Sequence, residues 1–505
     1  MSHSLLISNG KVLIEEHGEN IVRELDILVR DGKIEQFGHG LAEDPRLGDI
    51  ERFDAAGKLL MPGLINTHYH SHDTLAKGTL ESEPLEYWRL FALPPQYPKR
   101  SREEIRARVL LGAWENLMSG TTTVQDMVTL FPFDPEHLDV LLEVYEEIGL
   151  RAYVGLQYAD IPGIKTIPYW SEIFPEEMHK LLSTAAEPMK DFDLLEYLEE
   201  NYFSKGNYSD RVSWALGPSA PERCTDDLLL RTNALSEKYQ IPIFSHIYES
   251  RSMYLQALLE YPEHDGSLIK RLQHLGVLTD RLTLAHCVWI TDEEIALLAK
   301  HDTNVVLNPL SNYKLKSGIP PLHEYQNAQV NLAIGCDNSS CSDAQNMFQA
   351  MKLLALSGAI STEVPEIPQA QKIFHAATSG GAKALLQEDN LGKIALGYTA
   401  DFTVVELNDP SFVPLNNAVR QAVYAESGRG VSDVIIGGRV VVRDRVLTTM
   451  SEEEIIAEVE AVLPTFLEDM QVVRERVDTL RPYLREAHDK VWATDVGMNR
   501  LFTGK

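Results

Sequence analysis

From Leu59 to Asp337 the chain repeats one unit: a short apolar or β-branched run, then a longer stretch with apolar residues at helical spacing. The runs lie at 59–70, 120–126, 151–157, 212–219, 242–246, 282–286, 304–308 and 330–337. Helical spacing follows at 102–119, 135–148, 226–239 and 291–300. Asp134 is a candidate cap with Pro135 at the first helical position, and Thr291 is a second candidate cap. Alternating strands and helices demand a parallel sheet with helical crossovers. Eight such units predict an α/β fold, a (β/α)8 TIM barrel with insertions.

The flanks read differently. Leu5-Leu6-Ile7, Lys11-Val-Leu-Ile14, Leu25-Asp-Ile-Leu-Val29 and Lys33-Ile-Glu-Gln-Phe37 are short strands punctuated by Gly, Asn and Asp. Asn9-Gly10 and Asp31-Gly32 read as hairpin turns, since both pairs tolerate positive φ. Short strands return at 401–405, 434–436 and 438–442, after a helix at 371–386. The expected organisation is a composite β-sandwich domain from 1–58 and 392–449, a barrel over 59–391 and a helical extension over 450–505. Ser451 caps that last helix, with Glu452, Glu453 and Glu454 in its first turn.

Charge and cysteines narrow the partners. A formal charge of -29 excludes the basic stripe that nucleic acid needs and opposes an anionic membrane surface. No apolar run reaches membrane-spanning length, and the first residues lack a signal-type core. Four cysteines without a CxxC pair are too few for a disulfide framework. A cytoplasmic protein with reduced thiols and a small-molecule substrate is expected.

In a barrel the chemistry sits where the strands end. The first run ends in His68 and His70, and period-2 alternation puts both imidazoles on one face with Tyr69 on the other. The fifth ends in His246 with Glu249 three residues on, the sixth in His286 and the eighth in Asp337. Any one of these alone reads as a structural histidine or a helix cap. Together, three imidazoles and a carboxylate with a fourth imidazole nearby make a catalytic metal set that leaves a position for water.

The sequence resembles the amidohydrolase superfamily, within the branch of aminohydrolases acting on cytosine, guanine, adenosine derivatives such as S-adenosylhomocysteine, and triazines. The resemblance rests on Pro62-Gly-Leu-Ile-Asn-Thr-His68-Tyr-His70, Glu115-Asn-Leu-Met-Ser-Gly-Thr-Thr-Thr-Val-Gln-Asp126, Ser245-His246-Ile-Tyr-Glu249, Ala285-His286-Cys, Asn308-Pro-Leu-Ser-Asn312 and Gly335-Cys-Asp337. Gly381-Ala-Lys-Ala-Leu385, Gly392-Lys-Ile and Ala400-Asp401 resemble the family's return to its β domain. It implies that His68, His70, His246 and Asp337 bind one divalent metal and that His286 sits beside the water. Relatives with two metals carry a bridging lysine on strand four; Trp214-Ala-Leu-Gly-Pro-Ser219 has none, which implies one metal. Zinc is the default, and iron(II) is compatible with the same ligands. Asp337 would accept a proton from water, His286 would orient the attack, and Glu249 would protonate a ring nitrogen as a general acid. The other reading of Glu249 pairs it with Arg251.

The implied activity is hydrolytic deamination of an amino-substituted purine, pyrimidine, pterin or triazine. The alternative is the same site cleaving another bond, by dechlorination or amide or urea hydrolysis. Glu249 favours the first, because ammonia leaves poorly without a proton donor. Trp88, Gln157 and Asn312 are the expected substrate-binding residues. The loop 91–97, the insertion 161–175 and Asn338-Ser-Ser-Cys341-Ser-Asp343 depart from the deaminase pattern. A homodimer or larger assembly is common among the enzymes the chain resembles, and no residue pattern here reads out the oligomeric state.

Overall fold

The computed structural model describes residues 4–48, 50–92, 99–183 and 192–501; most of the expected loop at 91–97 lies outside them. It is a mixed α/β fold with two groups of parallel strands. One sheet runs Val212–Trp214, Arg151–Tyr158, Thr121–Val128, Leu64–His70, Asp337–Asn338, with Gly217–Pro218 also paired to Arg151–Tyr158. The other runs Ile243–Ile247, Leu282–His286, Asn304–Leu307, Leu332–Ile334. A parallel bridge between Leu216 and Ile243 joins the two groups. The fourth and eighth predicted strands are each interrupted: one around Ala215-Leu216, the other around Gly335-Cys336. At Gly335 an added Cβ would press within 2.6 Å of both Asn308 Oδ1 and His68 Cβ, so a side chain there would displace the site.

The crossover helices start where expected. Asp134 accepts from Glu136 N at the head of Pro135–Ile148. Thr291 and Glu294 complete a reciprocal capping box on Asp292–Lys300.

Both chain ends build two further sheets. One holds Lys33–Gly38, Asp26–Arg30, Ser4–Ser8 and Glu51–Asp54. The other has seven strands, in the order Val446–Leu447, Arg439–Arg443, Val431–Ile436, Phe402–Glu406, Lys58–Pro62, Lys11–Glu16, Glu19–Glu24. Leu5, Ile7, Ile27, Val29 and Phe53 of the first meet Val12, Leu60, Phe402, Val404 and Ile435 of the second in one apolar cluster.

Two local expectations are corrected here. Asn9-Gly10 is not a hairpin turn, because Ser4–Ser8 and Lys11–Glu16 belong to different sheets. The chain crosses between sheets at that point, and a Cβ on Gly10 would lie 2.8 Å from Ala55 Cβ and 2.9 Å from Leu60 Cδ1. The hairpin in this region instead joins Lys11–Glu16 to Glu19–Glu24 through His17 and Gly18, both at positive φ. The apolar run 59–65 is likewise two strands. Lys58–Pro62 pairs antiparallel with Phe402–Glu406, and Leu64–His70 enters the parallel sheet after Gly63. Asp31-Gly32 does turn a hairpin, with φ of 46° and 77°.

The two parts are tied by a buried ion pair. Arg151, at the start of a parallel strand, makes a two-pronged contact to Asp401 at 2.9 and 3.1 Å, and Asp401 also accepts from Gly437 N at 2.7 Å. Asp401→Ala strands the Arg151 guanidinium without its counter-charge. Such a loss costs about 3–5 kcal/mol, to be read as a lower urea midpoint at unchanged slope. A loss under about 1 kcal/mol would show that the pair contributes little.

The C-terminal helix, Glu452–Ala493, is capped by Ser451 as expected and contains Pro464 and Pro482. Its Val473, Val477, Leu480, Leu484 and Ala487 pack on Leu90, Phe91, Ile164, Ile167 and Phe174. One face of this helix is therefore buried against the segment after the first parallel strand and against the 161–175 insertion.

Candidate active site

Four parallel strands, or the turns just after them, deliver polar groups to one buried point. His68 and His70 share a face of Leu64–His70, while Tyr69 points away into the apolar core. Their Nε2 atoms are 3.2 Å apart. His246 Nε2 is 3.4 Å from His70 Nε2. Asp337 Oδ1 is 3.3 Å from His70 Nε2 and 3.6 Å from His68 Nε2. His286 Nε2 is 3.7 Å from Asp337 Oδ2 and 3.4 Å from Glu249 Oε2. Glu249 does not pair with Arg251, whose guanidinium donates to Thr494 O and lies over the Trp289 and Trp492 rings.

The far side of three of the four rings fixes which nitrogen faces inward; His68 Nδ1 has no partner. His70 Nδ1 donates to Met127 O and His246 Nδ1 to Ser219 O, both at 2.5 Å. His286 Nδ1 donates to Asn312 Oδ1 at 2.8 Å. With Nδ1 protonated, a neutral imidazole presents a bare lone pair at Nε2. The lone pairs of His70 and His246, facing one another at 3.4 Å, repel unless a cation sits between them. Nitrogen ligands about 2.0–2.1 Å from a tetrahedral zinc lie about 3.3–3.4 Å apart, close to the spacings found. The donor set therefore fits a divalent metal: His68, His70 and His246 converge, as do His68, His286 and Asp337.

Electrostatics agree with this chemistry. Burial and the adjacent His70 hold His68 well below its usual range, and burial with His70 and His286 pushes His246 down to about 3. Burial opposes charge on both His70 and Asp337, but their mutual contact outweighs it, raising His70 and keeping Asp337 ionised, so without a metal a proton takes the cation's place between them. Burial, then Asp337 and Glu86, push Glu249 well above the carboxylate range, so it keeps a proton to donate. His286 and Asp337 both hold left-handed backbone, with φ of 74° and 66°. Non-glycine residues carry that strain mainly where position matters more than comfort.

Outside the metal point opens a cleft of about 540 Å³. Trp88 and Gln157 line it with Glu249, His286 and Asp337. The indole N–H of Trp88 donates to Ser340 Oγ at 2.8 Å. Gln157 is engaged at both amide ends, by Thr129 Oγ1 and Ser219 Oγ, each at 2.8 Å. Asn312 is placed differently from the expectation. It is fully buried behind His286 and is not among the residues that line the cleft.

Sequence reasoning missed several groups here. Asp73 accepts from Ser339 N, Ser340 N and Ser340 Oγ, fixing the turn that follows Asp337. Its proximity to the His-Tyr-His run was the available signal. Arg89, Glu222 and Arg223 also line the cleft, and no spacing pattern marks them.

With this geometry in hand, comparison with known proteins is specific. A model of the amidohydrolase family matches residues 59–441. A 5-methylthioadenosine/S-adenosylhomocysteine deaminase of Thermococcus onnurineus is 32% identical over 88% of this chain and 95% of its own. A 5'-deoxyadenosine deaminase of Methanocaldococcus jannaschii is 33% identical over 86% of this chain and 95% of its own. Among solved structures, an adenosine deaminase from Xanthomonas campestris with bound zinc superposes with a TM-score of 0.77 at 27% identity, covering 94% of this chain and 99% of that one. An atrazine chlorohydrolase from Arthrobacter aurescens, complexed with zinc, shares the fold at a TM-score of 0.75 and 22% identity, covering 91% of this chain and 100% of that one.

Proposed function

This chain belongs to the amidohydrolase family, and we propose that it is a metal-dependent aminohydrolase deaminating the adenine ring of a purine nucleoside. It is an enzyme of carbon–nitrogen bond hydrolysis, and three of the proteins named above are deaminases of adenosine or its derivatives. The observation that carries the reading is the cluster of His68, His70 and His246 Nε2 atoms at 3.2–3.4 Å beside the Asp337 carboxylate, with protonated Glu249 at the edge.

His68, His70, His246 and Asp337 would hold one divalent ion. Zinc suits three nitrogens and one oxygen, and iron(II) suits the same set. When bound, such an ion lowers the pKa of water towards about 7 and polarises it for attack. The protein supplies the rest. Asp337, through Oδ2, accepts a proton from the attacking water. His286, held by Asn312 from behind, orients the water oxygen through Nε2. Glu249 protonates the ring nitrogen beside the carbon under attack, so that the developing charge rests on a neutral ring atom. The proton on Asp337 passes to the amino group, the C–N bond breaks, and ammonia leaves with its electron pair, while the remaining hydroxyl proton returns to the Glu249 carboxylate and the ring carbon becomes a carbonyl.

The finer architecture belongs to the same reading. The eight parallel strands close as a (β/α)8 barrel over 59–391, and the two end sheets form a composite sandwich that also takes in Lys58–Pro62. Among the described residues no helix is long and apolar enough to cross a membrane. Four buried free cysteines suit a reducing cytoplasm.

The test is ammonia release by zinc-loaded protein across adenine nucleosides, aminopyrimidines, pterins and aminotriazines, beside their chloro analogues. Turnover of an adenine nucleoside supports the proposal. Turnover of chloro compounds alone would replace it with the dechlorination reading. Within this scheme Asn312→Ala frees His286 to rotate and change tautomer. Ammonia release then falls about 10–100-fold, the usual effect of losing such an outer partner. Metal content should stay at the parent value, since Asn312 touches no proposed ligand; a variant that instead loses its metal contradicts the assignment of His286 beside the water.

A further inference from the structure

We infer that Arg89 and Arg223 form an oxyanion-binding wall in the cleft, selecting purine nucleosides whose sugar carries a carboxylate or phosphate. The inference rests on the function proposed above for the ring end of the site.

Both arginines line the cleft that holds Glu249, His286 and Asp337. Both guanidinium carbons lie 3.7 Å from the point where a Cβ would stand on Gly163, so the two groups flank the same residue of the insertion. Arg89 is steered by donating to Gly163 O at 2.9 Å and Thr166 Oγ1 at 3.1 Å. Arg223 is looser: it donates to Ser219 Oγ at 3.5 Å, and its buried Nε has no partner.

Among the described residues neither guanidinium reaches a carboxylate within 4.0 Å, whereas the buried Arg151 and Arg271 each do. Burial and the facing Arg89 push Arg223 down to about 10, so two like charges press on each other. Three acids share the neighbourhood. Glu249 is protonated, Glu86 is tied to Ser250 Oγ at 2.6 Å, and burial pushes Glu222 up to about 7 with its Oε2 unpartnered. Glu86 and Glu222 favour the charge on Arg89, but no acid among the described residues comes within 4.0 Å of either guanidinium. Two desolvated cations with no carboxylate in contact are costly. A forked oxyanion is the ligand that relieves that cost, because guanidinium donors match carboxylate and phosphate oxygens.

The alternative is that Arg89 only staples the insertion. The test separates the two using the full-length, zinc-loaded enzyme. Three adenine nucleosides are compared that differ only at the 5' position: neutral, carboxylate-bearing and phosphate-bearing. Ammonia-release kcat/KM and calorimetric binding are both measured for parent, Arg223→Gln, Arg223→Lys and Arg89→Gln, each checked for folding by circular dichroism. The parent should prefer at least one oxyanion-bearing nucleoside over the neutral one by tenfold or more. Arg223→Gln should cut that ratio at least tenfold, mainly through KM, and Arg223→Lys should restore part of it. The carboxylate and phosphate arms then say which oxyanion is selected. A parent that shows no oxyanion preference, or a ratio unmoved in folded Arg223→Gln, overturns the inference. Deamination without that preference leaves the proposed function standing and removes this inference alone. Oxyanion-dependent binding without deamination does the reverse.

Discussion

A Glu249→Gln variant releases ammonia about 10²–10⁴ times more slowly than the parent, the usual worth of a positioned general acid. Its metal content stays unchanged. The carboxyl lies 3.4 Å from His286 Nε2 and is raised by burial, so it can carry a proton into the cleft. Glutamine keeps the shape and a hydrogen-bond donor but has no proton to give up. The loss should be largest for an amino leaving group and clearly smaller for a chloro substituent on the same ring, since chloride departs without protonation. Steady-state kinetics on the matched pair reads both effects. A loss below about tenfold on the amino substrate would remove Glu249 from the chemistry.

His246→Ala takes one imidazole from the convergent set, and the variant holds under a tenth of the parent's metal by elemental analysis, a loss at least as large as the about 10–100-fold affinity cost of an outer partner. Turnover falls with metal content. A second readout is stability. A ligand that binds only the folded state at about 1,000 times its dissociation constant adds about 4.1 kcal/mol. Stripping metal with a chelator should therefore lower the thermal midpoint of the parent and leave that of the variant unmoved. Full metal content in His246→Ala would mean that Nε2 of His246, 3.4 Å from that of His70, is not a ligand.

The parts of the fold that could be read in advance are those where one local rule decides. His68 and His70 share a face because strand side chains alternate, and no tertiary detail can change that. His246, His286 and Asp337 come together because strand ends in a parallel α/β fold share one rim. Asn9-Gly10 misled because turn chemistry is the same for a hairpin and for a crossing between sheets; the distinction lies in Ala55 and Leu60, far along the chain. The run 59–65 read as one strand because both of its halves are buried. A side chain at Gly63 would collide with Thr122, a contact invisible until the parallel sheet is assembled.

The same contrast holds in the cleft. Asn312 sits one helical turn past the seventh strand, where a substrate contact or a prop for His286 would look alike in sequence. Arg89 and Arg223 are 134 positions apart, and surface arginines are common. Only the folded insertion, through Gly163, sets them side by side.

The central claim is that one metal ion, held by His68, His70, His246 and Asp337, is needed for deamination. The direct measurement is a titration of metal-stripped, folded protein with zinc, following bound metal and ammonia release from an adenine nucleoside together. The account predicts that both rise in parallel and break at one equivalent. A folded protein that binds no zinc, or one that reaches full rate before any is bound, would contradict it.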